Sequence, residues 1–129
     1  MNTRAVALGT LADILCTKIF LFALVLSLID PGSSSQAPLE RVSPELLEAM
    51  CLLWGLFFTG VGGFVAGRLA PQAPVLHGFL VGAASMAVSH LFYGWTPAEV
   101  GPTMYSFGLA ASLSIALLGG RVARWTARR

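Results

Sequence analysis

The sequence predicts an all-α polytopic membrane protein, a bundle of four transmembrane helices formed by residues 1–129 as a single membrane domain. Of its 129 residues, 56% are hydrophobic and only 11% are charged, whereas about 25% of an ordinary soluble domain is charged. The charges leave four long apolar stretches, and four spans of about 20 residues use about 80 residues of the chain. This composition excludes a soluble enzyme, a secreted disulfide scaffold and a disordered tail.

The first apolar stretch, residues 5–29, is predicted to be a retained helix and not a cleaved signal peptide. Its start carries only Arg4, and Asp13 and Lys18 interrupt the apolar run. A signal peptide has a more basic start and a continuous apolar segment. Residues 30–32, Asp-Pro-Gly, are predicted to end the helix because proline breaks helices.

The remaining spans are predicted by their helix-start residues and by the prolines between them. Ser43 can cap the free amides of the second span, and Pro44 has no amide to leave unbonded. Pro71 and Pro74 indicate a short turn before the third span. Residues 96–99 form a capping box that predicts one short helical turn before the last span. These spans are predicted at residues 44–70, 75–95 and 103–120.

The basic residues predict the orientation of the bundle. Arg4, Arg68 and the four C-terminal arginines fall on one side of the predicted bundle, and Arg41 stands among acidic residues on the other. Short loops rich in Lys and Arg stay cytoplasmic. We therefore expect both termini in the cytoplasm.

The C-terminal arginines recur at helical spacing beside Trp125. We expect them to contact anionic lipid headgroups, since each basic residue near such a surface gains about 1 kcal/mol. Nucleic-acid binding is the alternative for a basic tail, and we expect no nucleic-acid partner. The candidate headgroup residues are Arg121, Arg124, Arg128 and Arg129.

Residues 62–70 read Gly-Gly-Phe-Val-Ala-Gly-Arg-Leu-Ala and are followed, after a turn that contains proline, by His77-Gly78. This pattern resembles a signature of small four-span bacterial membrane proteins. It covers the end of the second span, the turn and the start of the third span. The family has no known activity, so the resemblance implies only the four-span fold and a bacterial inner membrane.

Small residues recur at steps of four along the predicted spans. Because lipid provides no hydrophobic force between helices, small residues that let backbones approach supply the packing instead. They either pack the monomer or form a groove for a partner helix. The candidate packing residues are Gly55, Thr59, Gly63 and Gly67, then Gly78 and Gly82, and then Gly108, Ser112, Ala116 and Gly120.

Asp13 and Lys18 form the candidate polar site within the membrane, because ionisable groups inside a span are costly and indicate function. They lie about 140° apart around a helix and about 7.5 Å apart along it. The Lys18 arm points back toward the N-terminus, which brings its ammonium toward Asp13. The pair forms either a buried clasp, with Arg68 as an alternative partner of Asp13, or an ion or proton relay. His90 is a further candidate, and a hydrogen-bonded core histidine is the favoured interpretation of it.

No catalytic, cofactor or metal site is predicted. His77 and His90 lie about 20 Å apart on one helix, too far to bind one metal ion. No nucleophile, base and orienting group share a depth, and no glycine-rich phosphate loop lies outside a span. The sequence therefore favours an inner-membrane protein, not an enzyme, with a structural or accessory role through packing with itself or another membrane protein. The alternative is a small oligomeric transporter, or an ion- or proton-conducting protein, that uses Asp13 and Lys18.

Overall fold

The computed structural model describes residues 2–28, 43–94 and 96–128. Four long helices and one short helix account for nearly all of them, and no strand occurs in these ranges. This confirms the predicted all-α four-helix fold class. The helices are α1 (Thr3–Leu28), α2 (Pro44–Leu69), α3 (Pro74–Tyr93), α4 (Pro97–Val100) and α5 (Pro102–Thr126).

Each long helix is apolar and long enough to cross a membrane, so the chain is a multi-pass membrane protein. The helices α1 and α2 have 26 residues each, which corresponds to a length of about 39 Å. Both are longer than the hydrocarbon core of about 30 Å, so they have length to spare for tilt. The apolar segments are Thr3–Ser27, Ala49–Leu69, Pro74–Phe92 and Pro102–Thr126.

The helix ends follow from local sequence. Ser43 is the N-cap of α2, as predicted: its hydroxyl accepts a hydrogen bond from the amide of Leu46 at 3.3 Å. Gly94 ends α3 with a φ of 63°, a left-handed conformation that side-chain-bearing residues rarely adopt. The last helix continues past residue 120 to Thr126, through a segment in which two arginines and an alanine favour helix. The expected ends at residues 29 and 95 and the loop after the first span lie outside the described residues.

The helices α2 and α3 are antiparallel neighbours, and each packs against both α1 and α5. The helices α1 and α5 lie on opposite sides of this central pair. The start of α1, the end of α2, the start of α3 and the end of α5 share one end of the bundle. We call it the basic end because Arg68, Arg124 and Arg128 lie there.

Small and polar side chains fill the interior, and large apolar side chains cover the outside. Val81 is the largest fully buried side chain among the described residues. By contrast, Phe22 is 66% exposed and Phe92 is 75% exposed. This pattern suits a lipid surround, because large apolar side chains gain nothing by leaving the hydrocarbon.

Neighbouring glycines let one helix approach two others. A Cβ on Gly62 would lie 2.6 Å from the carbonyl oxygen of Gly9 in α1. A Cβ on Gly63 would overlap the carbonyl oxygen of Ala116 in α5 and lie 2.9 Å from its Cα. The backbones of α1, α2 and α5 therefore meet with no room for a side chain between them.

Candidate functional site

Asp13 lies inside the bundle and is 4% exposed. Its position follows from the row of Ala5, Gly9 and Asp13 at steps of four on α1, all of which are buried. A Cβ on Gly9 would lie 2.6 Å from the carbonyl oxygen of Gly62 and 2.8 Å from a methyl group of Val81. Because Gly9 lacks that atom, α1 approaches α2 and α3 closely, one turn before Asp13.

Three hydroxyl groups surround the Asp13 carboxylate. Thr59 of α2 donates to Oδ2 at 3.0 Å, and Ser85 of α3 donates to the same oxygen at 2.5 Å. Thr17 of α1 donates to Oδ1 at 3.5 Å, a long contact. Hydrogen bonds to a carboxylate are shorter and stronger than those between neutral groups. These four residues, which we call the Asp13 cluster, connect α1 to both central helices.

The Thr59 hydroxyl lies within hydrogen-bond distance of two acceptors. Its hydroxyl lies 3.0 Å from Asp13 Oδ2 and 2.9 Å from the carbonyl oxygen of Gly55. A hydroxyl has one proton to donate but can also accept. When Thr59 donates to Gly55, its oxygen can accept a hydrogen bond from a protonated Asp13. The cluster is therefore chemically able to satisfy Asp13 as a carboxylate or as a carboxylic acid.

A second polar contact joins α1 to α3 at the basic end. His77 is 4% exposed, and its Nε2 accepts a hydrogen bond from the backbone amide of Asn2 at 3.0 Å. Its Nδ1 lies 2.8 Å from the carbonyl oxygen of Ala73. A neutral ring with its proton on Nδ1 satisfies both contacts. His77, Val81 and Ser85 are spaced four residues apart on α3, so one row of this helix faces α1.

The other candidate polar residues lie elsewhere. Lys18 is on an exposed face of α1, and Arg68 is exposed at the basic end. Arg68 follows Thr59 by nine positions, about 13 Å along α2. His90 is exposed, and its ring lies 6.4 Å from that of Tyr105 between centroids, edge to face.

Most of the candidate packing residues lie in helix contacts. Thr59 faces Asp13, whereas a Cβ on Gly55 would meet nothing within 4 Å. Of the candidate headgroup residues, Arg129 lies outside the described residues, and Arg121, Arg124 and Arg128 are exposed. The buried packing residues are Thr59, Gly63, Gly67, Gly78, Gly82, Gly108, Ser112, Ala116 and Gly120.

Sequence reasoning missed Ser85 as a partner of Asp13 and Gly119 as a contact residue. A Cβ on Gly119 would overlap the carbonyl oxygen of Gly60 in α2. A signal for Ser85 existed, because His77 and Ser85 are polar residues two steps of four apart on one apolar helix. Such a row indicates an inward-facing stripe.

Among the described residues, no three His, Cys, Asp or Glu side chains lie close enough together to bind one metal ion. Comparison of the chain with models of known protein families, with curated proteins and with solved structures gives no match. The resemblance of residues 62–78 to small four-span bacterial membrane proteins therefore stays a prediction.

Proposed function

We propose that this protein is a structural or accessory component of a bacterial inner membrane, with both termini in the cytoplasm, and that it acts through helix packing and not through catalysis. The observation that carries the proposal is the Asp13 cluster. Its carboxylate accepts hydrogen bonds from α2 and α3 at a buried position. The polar group in this span thus serves to hold three helices together.

Close packing of small residues supports the same role. In the contact between α3 and α5, a Cβ on Gly120 of α5 would lie 2.5 Å from the carbonyl oxygen of Pro74. A Cβ on Gly82 of α3 would lie 3.0 Å from the Cβ of Ala116. Protein interiors packed this closely have low compressibility. A bundle of fixed shape suits a protein that presents its outer surface to a second copy or to another membrane protein.

Transport is the second candidate function, because the Asp13 cluster can satisfy two protonation states. Two features of the described helices favour the structural role over it. Asp13, Thr59 and Ser85 line neither the cleft between the ends of α2 and α5 nor the cleft between α1 and α3. Prolines begin α2, α3, α4 and α5, and none interrupts a described helix, whereas many transporters bind their substrates at broken helices.

Flux and stability measured on the same variants test the proposal. The intact protein is reconstituted into liposomes and assayed for proton and cation flux, and its unfolding by SDS in mild detergent is followed by circular dichroism. We expect no flux above that of empty liposomes. Asp13→Asn should lower stability, because an amide NH2 group in place of one carboxyl oxygen disrupts a buried hydrogen-bond network.

Lys18→Met is the matched control, since Lys18 is an ionisable residue on the exposed face of the same helix. The structural role predicts a smaller stability loss for this variant than for Asp13→Asn. The structural role would be wrong, and transport would be favoured, if the unmodified protein shows flux and Asp13→Asn abolishes that flux without changing the unfolding.

A further inference from the structure

A cleft of about 830 Å³ opens at the basic end, outside the Asp13 cluster. It lies between the end of α2, the turn that follows it, the start of α3 and the end of α5. Gly67 and Ala123 are buried at its base, where a Cβ on Gly67 would lie 2.8 Å from the Cβ of Ala123. The cleft is therefore closed on the side of the bundle interior.

Positive charge lines this cleft. Arg68, Arg124 and Arg128 are among its lining residues, together with Gln72, and none of the described residues that line it is acidic. All three arginines are exposed. No described residue forms a hydrogen bond or an ion pair with any of the three guanidinium groups. Their donors are thus available to a ligand.

We propose that this cleft is a binding site for a phosphate group, carried by an anionic phospholipid or free in solution. Arginine suits this role because its planar guanidinium donates paired hydrogen bonds to phosphate oxygens. Basic pockets between transmembrane helices at the cytoplasmic side are a known setting for phospholipid headgroups. The volume lies within the range of about 300 to 1,000 Å³ that is usual for small-ligand pockets. The proposal goes beyond the structural role, which does not require it.

Arg121 separates a defined site from general attraction to an anionic surface. It is exposed and lies on α5 three residues before Arg124, but it does not line the cleft. General attraction predicts similar effects when either residue is neutralised. A site in the cleft predicts that only Arg124 and the other lining arginines affect binding.

The test is a lipid titration of the intact protein in neutral detergent, with bound molecules counted by native mass spectrometry. The probes are phosphatidylglycerol, zwitterionic phosphatidylcholine and inorganic phosphate. We expect Arg68→Gln and Arg124→Gln each to weaken binding of the anionic probe by about fivefold. Arg121→Gln should change it by less than about twofold, since a guanidinium that does not line the cleft has no hydrogen bond to donate to a phosphate bound there.

Two outcomes support the site and identify its ligand. Preferential retention of phosphatidylglycerol, without competition from inorganic phosphate, identifies a lipid headgroup, whereas competition by inorganic phosphate identifies the free anion. Equal weakening by Arg121→Gln, or equal retention of phosphatidylglycerol and phosphatidylcholine without phosphate binding, would overturn the proposal. The substituted side chains are exposed, so unfolding by SDS should match that of the unmodified protein. If Arg68→Gln alone unfolds, the comparison of lipid binding by Arg124→Gln and Arg121→Gln decides whether the cleft is a binding site.

Discussion

The substitution Gly63→Ala should loosen the contact between α2 and α5. The added Cβ would overlap the carbonyl oxygen of Ala116 and lie 2.9 Å from its Cα and carbonyl carbon. All three atoms belong to the backbone, so no side-chain rotation relieves the overlap and the helices must separate. Overpacking of this kind typically costs about 1 to 3 kcal/mol.

Gly55→Ala on the same helix is the matched control, because a Cβ there meets nothing within 4 Å. Both substitutions gain about 0.8 to 1.0 kcal/mol of intrinsic helix propensity. Their difference in unfolding free energy therefore isolates the steric term, and we expect Gly63→Ala to be less stable than Gly55→Ala by about 1 to 3 kcal/mol.

Gly60→Ala provides an intermediate case, because its Cβ would meet the side-chain methyl of Ile115 at 3.0 Å. That methyl group can move, so Gly60→Ala should fall between the other two variants. The assay is SDS unfolding in mild detergent, followed by circular dichroism. Equal stability of Gly55→Ala and Gly63→Ala would refute the close-packing argument.

Three further predictions follow from the polar contacts and the helix count. Thr59→Val keeps the side-chain shape but removes the hydroxyl, so it should lower the unfolding free energy by about 0.6 to 1.7 kcal/mol. Thr103→Val, at an exposed position, should change the unfolding free energy little. An equal effect of the two substitutions would count against the cluster. His77→Ala removes the acceptor for the Asn2 amide, so hydrogen exchange at the start of α1 should accelerate, and His90→Ala should leave it unchanged. Reporters fused to the two termini should both be active on the cytoplasmic side, and alkaline phosphatase activity from either fusion would contradict this orientation.

The fold could be predicted because the signals for it are local or are carried by composition. The apolar stretches predict the spans, and Ser43 and Pro44 predict the start of α2. The inward position of Asp13 was also predictable, since Gly9, Asp13 and Thr17 share one ridge of a mainly apolar helix. These inferences need no knowledge of which helices are neighbours.

The partners of Asp13 depend on packing that the sequence does not show. Ser85 reaches Asp13 because α1 and α3 run parallel and in a particular register, and a serine within an apolar span gives no sign of that register. Lys18 lies nearer to Asp13 in sequence, but the two positions differ by about 140° around the helix. The hydrogen bonds found for Asp13 come from residues 17, 59 and 85.

The row of small residues on α2 shows why a step of four predicts contacts imperfectly. Each step turns about 40° beyond a full circle. Gly63 faces α5, Thr59 faces α1, and Gly55, about 80° from Gly63, faces open space. Small residues at steps of four therefore follow a line that winds around the helix, and they do not all contact the same neighbour.

The central claim is that the Asp13 cluster holds α1, α2 and α3 together, and a double-mutant cycle tests it most directly. Asp13→Asn and Ser85→Ala are made singly and together, and SDS unfolding gives the coupling free energy between them. Ser112→Ala is the control, since Ser112 is buried on α5 outside the cluster.

We predict a coupling of about 0.5 kcal/mol or more between Asp13 and Ser85, as for residues that share a hydrogen bond. The effects of Asp13→Asn and Ser112→Ala should add to within about 0.3 to 0.5 kcal/mol, as for independent sites. If the effects of Asp13→Asn and Ser85→Ala add in the same way, their hydrogen bond does not stabilise the bundle and the central claim is wrong.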